Sequence, residues 1–272
     1  MKLNYLLGFF LTILSIAPQY AQTSEREKIL TEAAKIRFHD PQKSLKLYGF
    51  LAKDSSAGEI AVIQLKQLQL YRLLGRYEEA VSVFISLRKT PPNLFHPALQ
   101  LEYGLEAANL FSDLDLQNEA QKFYRGARKN YAKLPVEMQK NYAPDLQLLA
   151  VKINKNRDNG RNIAELKEVF RQLKADDERL PFIQFNIAKC YLTSNRDSAA
   201  YYFSQVMSAQ KSPPLSQTSG VYLNLLESDN TSALSVSETA AEQSFDRNLK
   251  YPKSINLSLK NLSSSIFAEN FC

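Results

Sequence analysis

The chain has no tryptophan, two cysteines, two histidines and only eight glycines among its 272 residues. Each shortage removes a class of answer. Two cysteines, Cys190 and Cys272, cannot build a disulfide framework; Cys190 lies in an apolar helical pattern and is expected to be a small buried hydrophobe. The two histidines, His39 and His96, sit beside loop prolines with no second ligand at metal spacing, and neither HExxH nor a CxxC pair occurs. Glycine is too scarce for a phosphate-cradling loop: GxxxxGK[ST], GxGxxG and GxSxG are all missing. No catalytic constellation, metal site or cofactor is therefore expected. Acidic pairs such as Glu78-Glu79 read as solvated helix faces or partners of helix N-termini.

Charge of one sign is also not concentrated. The net charge is +6, but Lys and Arg are interleaved with acids along the chain, so a nucleic-acid face is not expected. The local exception is KINKNRDNGRN at 152–162, where Lys152, Lys155, Arg157 and Arg161 cluster; it reads as a polar loop insertion. Long apolar runs are scarce too. The run from Leu6 to Ala17, behind Lys2, is 12 residues long. That length suits a secretory signal and is short for a membrane span. Residues 1–21 are thus expected to be a signal peptide ending near Ala21, with an uncleaved anchor as the alternative. The mature chain, with no second long apolar run, is expected in the periplasm or secreted.

What the sequence does have is helical periodicity. After residue 24, apolar residues recur at spacings of three and four, interrupted at Asp40-Pro41, Pro91-Pro92, Pro135, Asn159-Gly160, Pro181 and Pro213-Pro214. The pattern predicts an all-α fold of stacked antiparallel helix hairpins. A small–aromatic–apolar triplet repeats within it: Ala80, Phe84, Leu87; Ala120, Tyr124, Ala127; Ala199, Phe203, Val206. Weaker copies begin at Ser44, Leu166 and Ala241. Each clear copy has an upstream helix, marked by Leu68 and Tyr71, Ala108 and Phe111, or Ala188 and Tyr191. A small residue lets two helices cross closely, and an aromatic one turn later fills the groove towards the next pair.

The stretch LGRYEEAVSVFISLRKTPP, residues 74–92, resembles the second half of a tetratricopeptide repeat. Gly75, Tyr77, Ala80, Phe84 and Pro92 stand at that family's glycine, tyrosine, alanine, aromatic and proline positions, while Leu87 replaces its usual second small residue. Residues 61–94, 101–134 and 181–210 carry the likeness, with Asp115 standing where the second copy should have glycine. Residues 25–57, 143–177 and 216–250 extend it by continuity.

The resemblance implies a right-handed α-solenoid of about five to six repeats over 22–250, with 251–272 as a capping helix or tail. It further implies a non-catalytic adaptor that binds a protein or peptide along its inner wall. The alternative it implies is the regulatory module of a bacterial envelope signalling system. Carried over position by position, the inner-wall candidates are Val62, Leu65, Gln69 and Arg72 in the first clear repeat, Asn109 in the second, and Phe182, Phe185 and Lys189 in the third.

Overall fold

The computed structural model describes residues 25–154, 158–209 and 211–227. Among these residues the fold is all helical, with eleven α-helices and no strand. They are α1 (25–36), α2 (Pro41–Leu51), α3 (Ala57–Leu73), α4 (Tyr77–Arg88), α5 (Pro97–Asp113), α6 (Gln117–Ala132), α7 (Val136–Ile153), α8 (Asn159–Gln172), α9 (Leu180–Tyr191), α10 (Arg196–Ala209) and α11 (Pro213–Glu227). The expected signal segment, the Ala241 triplet and the 251–272 tail lie outside the described residues. No described helix is long and apolar enough to cross a membrane.

The prolines seen in the sequence mark helix starts. Pro41 follows Asp40, whose side chain accepts the Lys43 N–H at 2.9 Å, and Pro97 follows His96, whose Nδ1 accepts the Leu99 N–H at 3.3 Å. At α3, Ser56 and Glu59 form a reciprocal capping box. One start departs from the expected frame. The sequence pattern puts the fourth helix pair at 143–177, but α7 begins at Val136 and runs through Pro144. Pro144 removes one N–H from the ladder without ending the helix.

Consecutive helices pack together, as α3 on α4, α5 on α6, and α9 on α10. Alternate odd helices also touch directly: α3 on α5, α5 on α7, and α9 on α11. The buried core is correspondingly strung along the chain rather than gathered at one centre. Ala33, Leu45, Tyr48 and Leu51 of the first helices share a cluster with Ile63 and Leu70. A large cluster spans α3 to α7, another joins α7, α8 and α9, and a last one joins α9, α10 and α11. A core built mainly from neighbouring helices in this way is what stacked helix pairs produce.

The triplets lie where the sequence pattern puts core. Ala80, Phe84, Leu87, Ala120, Ala127, Ala199, Phe203 and Val206 are all buried. Phe84 leaves its own pair and packs on the next: its ring is 5.8 Å from Tyr103 and 5.3 Å from Phe111 on α5, and 5.7 Å from Phe123 on α6. Phe203 does the same, stacked 4.8 Å from Tyr222 on α11. In the middle copy the residue that enters this aromatic cluster is Phe123, and Tyr124 is half-buried at its edge. Small residues are required opposite: a side chain at Gly104 on α5 would come within 3.1 Å of the Ala127 Cβ on α6. Cys190 is buried, in line with its apolar setting.

The turn after α3 and the turn after α5 share one construction. Gly75 donates to the Arg72 carbonyl at 3.1 Å and Arg76 to the Tyr71 carbonyl at 2.8 Å; Asp115 donates to Ser112 at 3.2 Å and Leu116 to Phe111 at 2.8 Å. This is the Schellman bond pair, which needs a left-handed residue just past the helix. Gly75 has φ 69° and Asp115 has φ 57°. Asp115 therefore builds the same turn without a glycine, since aspartate tolerates this conformation better than most residues. Gly75→Ala is expected to lose about 1–2 kcal/mol, the cost of forcing a Cβ into the left-handed region; urea denaturation reads it, and an unchanged midpoint would argue against the turn.

Candidate functional site

The odd helices place polar side chains on one face each. On α3, Lys66, Gln69 and Arg72 recur every three residues; on α5, Glu102, Glu106, Asn109 and Asp113 recur at four, three and four; α7 contributes Tyr142, Asp145 and Lys152. These spacings keep one face of a helix aligned. Because α3, α5 and α7 touch side by side, the three faces join into one surface.

The surface carries two ion and hydrogen-bond sets side by side, one around Glu102 and one around Arg72. Lys66 Nζ lies 2.7 Å from Glu102, whose other oxygen accepts the Tyr142 hydroxyl at 2.7 Å. Gln69 donates to Glu106 at 3.2 Å, and Arg72 pairs with the same carboxylate at 3.2 Å and with Asp113 at 3.0 Å. Lys152 closes the set, 2.5 Å from Asp113 and 3.2 Å from the Asn109 side-chain oxygen. These inter-helix links join residues 34 to 43 positions apart, about one helix pair. Arg72, Glu106 and Asp113 are 19%, 14% and 15% exposed, so this is a shielded network with its edge at the surface.

Charge states follow from that shielding. Burial pulls the Arg72 guanidinium down, but the Glu106 and Asp113 charges outweigh it and hold it fully protonated. Burial pushes Asp113 up, yet Lys152 and Arg72 overcome it and keep the carboxyl below the usual carboxylate range. Glu102 follows the same pattern, with Lys66 and the Tyr142 hydroxyl opposing its burial.

Asp145 is the exception. Burial pushes its carboxyl up to about 6, although Arg179 lies 3.0 Å away and opposes the shift. Its folded pKa is above the unfolded value of about 4, so the folded state binds the extra proton between those two values. Stability from this group therefore falls as pH rises from about 4 to about 6. Asp145→Asn removes that dependence. We expect the variant to gain stability relative to the parent as pH rises across this window, read by urea midpoints at pH 4, 5 and 7. A difference that is flat, or that moves the other way, would contradict the assignment.

The predicted wall residues divide into two groups. Gln69, Arg72 and Asn109 come together in the network, and Val62 sits half-buried on the same face of α3. Leu65 does not: it falls on the Ala61–Leu65–Leu68 stripe facing the core and is 1% exposed. Phe185 is turned inward as well, 5.5 Å from Phe203 and 5.9 Å from Tyr222. Both are packing residues, because the inward stripe of an odd helix is only one position from the outward one. Phe182 and Lys189 lie half-buried on α9. The residues that sequence reasoning missed are Lys66, Glu106, Tyr142 and Asp145. Lys152, assigned to a basic loop cluster, is instead the last helical cation of α7 and is taken by Asp113; Arg161 pairs with Glu165 within α8. Lys155 and Arg157 lie outside the described residues.

Among the described residues no group of three His, Cys, Asp or Glu side chains could hold a metal ion. Compared with protein-family models, with curated protein sequences and with solved structures, the chain matches none.

Proposed function

We propose that this chain is a non-catalytic interaction module: an exported, right-handed solenoid of tetratricopeptide-like helix pairs. Its odd-numbered helices line an inner wall that takes an extended segment or a helix of a partner protein. The observation that carries this reading is the repeated Schellman turn at Gly75 and Asp115, followed each time by a helix whose buried alanine and aromatic pack onto neighbours. The direct contacts between odd helices support placing them on the inner layer, where packing is tighter. Their polar stripe supplies hydrogen-bonding groups suited to a backbone or to polar side chains.

The test uses the mature chain from Gln22, immobilised and exposed to its native envelope fraction. Beside it runs Gln69→Ala/Asn109→Ala, two changes that alter the polar stripe and leave the core intact. A partner retained by the parent and weakened about tenfold, or about 1.4 kcal/mol, in the folded variant supports the wall. Retention unchanged by the variant sinks it.

A further inference from the structure

The turn between α1 and α2 reaches across to a distant part of the chain. The Phe38 ring lies 5.1 Å from Phe182, at the start of α9, in a tilted contact. Arg37 is ion-paired with Glu178, just before α9, and its guanidinium lies over the Phe38 ring at 4.8 Å. The two neighbouring residues thus present one cation and one aromatic face to one acid and one aromatic ring. Phe182 is itself one of the wall positions picked from the sequence.

Three features make this contact releasable. First, α1 and α2 have their own anchorage: Ala33, Leu45, Tyr48 and Leu51 pack with Ile63 and Leu70, and the Ser44 hydroxyl donates to the Ala33 carbonyl at 2.8 Å. The turn can leave α9 without dismantling that core. Second, the fit is imperfect, since the Arg37 Nε is buried with no hydrogen-bond partner, a costly state for a charged donor. Third, the wall keeps an acidic excess without it. Lys66, Arg72, Lys152 and Arg179 face Glu102, Glu106, Asp113, Asp145, Asp177 and Glu178. Glu102, Glu106 and Asp145 also lie near enough to favour the Arg37 charge, against the burial that disfavours it.

We infer that Arg37–Phe38 is a built-in clasp occupying a ligand's place, and that the ligand is a peptide segment presenting arginine beside an aromatic residue, which displaces the clasp at Glu178 and Phe182. This rests on the inner-wall reading above. A clasp of this kind reduces apparent affinity by the fraction of molecules in which it is open, so opening it by mutation raises affinity without adding a contact.

The probe is a fluorescein-labelled peptide of this chain's own residues 34–41, AKIRFHDP, with a control in which its arginine and phenylalanine are alanine. Anisotropy is read on the mature parent chain, on Arg37→Glu and on Arg37→Glu/Glu178→Arg. We expect Arg37→Glu to bind the probe at least about tenfold tighter than the parent, and to ignore the alanine control. The double reversal rebuilds the ion pair with exchanged signs. It should return to weak binding and recover the parent's thermal midpoint. Phe38→Ala provides a second open form should Arg37→Glu fail to fold.

If neither open variant binds the probe more tightly than the parent, the clasp is overturned. The same variants in the envelope-fraction assay separate the two readings. Partner retention that depends on Gln69 and Asn109 but not on Arg37 or Phe38 leaves the wall standing and removes the clasp. Loss of wall dependence together with no probe binding removes both.

Discussion

Replacing Arg72 by alanine is expected to lower stability by about 3–5 kcal/mol, the usual cost of stripping one partner from a shielded ion network. The reason is not the loss of attraction alone. Arg72 holds two carboxylates, Glu106 at 3.2 Å and Asp113 at 3.0 Å, and both stay shielded when it goes. Asp113 keeps Lys152, but Glu106 keeps only the neutral Gln69 amide among the contacts described above. A neutralised pair, Arg72→Met with Glu106→Gln, should recover most of the loss, because Asp113 keeps Lys152 and buried ion pairs replaced together are often close to neutral.

The pH profile reports on the same ion network. Asp113 has a folded pKa held below its unfolded value, so its contribution is present above the unfolded pKa and lost as pH falls through the folded one. Without Arg72 the folded pKa rises, and acid unfolding should begin at higher pH than in the parent. Urea midpoints from pH 3 to 7 measure both effects; a loss under about 1 kcal/mol, typical of a solvated surface pair, would mean the network is not shielded.

Phe84→Ala is the second large effect, at about 3–5 kcal/mol. Phe84 is fully buried and is the ring through which the α3–α4 pair meets Tyr103, Phe111 and Phe123 of the next pair. Truncation opens a cavity at the junction between neighbours, not inside one of them. In a structure held by neighbour contacts, such a change weakens coupling along the array as well as total stability. We therefore expect the urea transition to broaden, with a lower apparent m value, and the helical signal to be lost in more than one step. Leu87→Ala, in the same helix and also fully buried, is the comparison for core truncation as such. A single sharp transition for Phe84→Ala, shifted by less than about 1 kcal/mol, would show that the ring does not join the pairs.

The path from sequence to site was uneven, for physical reasons. The helices were legible because prolines, caps and turn residues are local signals; Asp40-Pro41, Pro97 and Gly75 each act within a few positions. The core triplets were legible because an alanine and an aromatic at spacing four must face the same neighbour. The frame of the fourth pair was placed by continuity from its neighbours, and α7 begins seven residues earlier, directly after Pro135, and absorbs Pro144 within its 18 residues. The polar face of the odd helices was half legible. A position-by-position likeness put Gln69, Arg72 and Asn109 on one surface, yet misplaced Leu65 and Phe185 by one position around their helices. Their partners were not legible at all. Whether Arg72 meets Glu106 or Asn109 depends on how α3 crosses α5, which no short window encodes. The Arg37–Glu178 pair lies further still beyond local reasoning, because it reports how far the helix pairs curve back on themselves.

The most direct test of the account is a photo-crosslinking scan in the native envelope fraction. A photoreactive phenylalanine analogue is placed singly at Val62, Gln69 and Asn109 on the proposed wall. It is then placed at Lys122, Arg125 and Lys129, exposed positions of α6 on the other side of its pair. We expect one partner band captured from all three positions on the odd helices and from none of the three on α6. Capture from α6 alone, or from both sets equally, would contradict it.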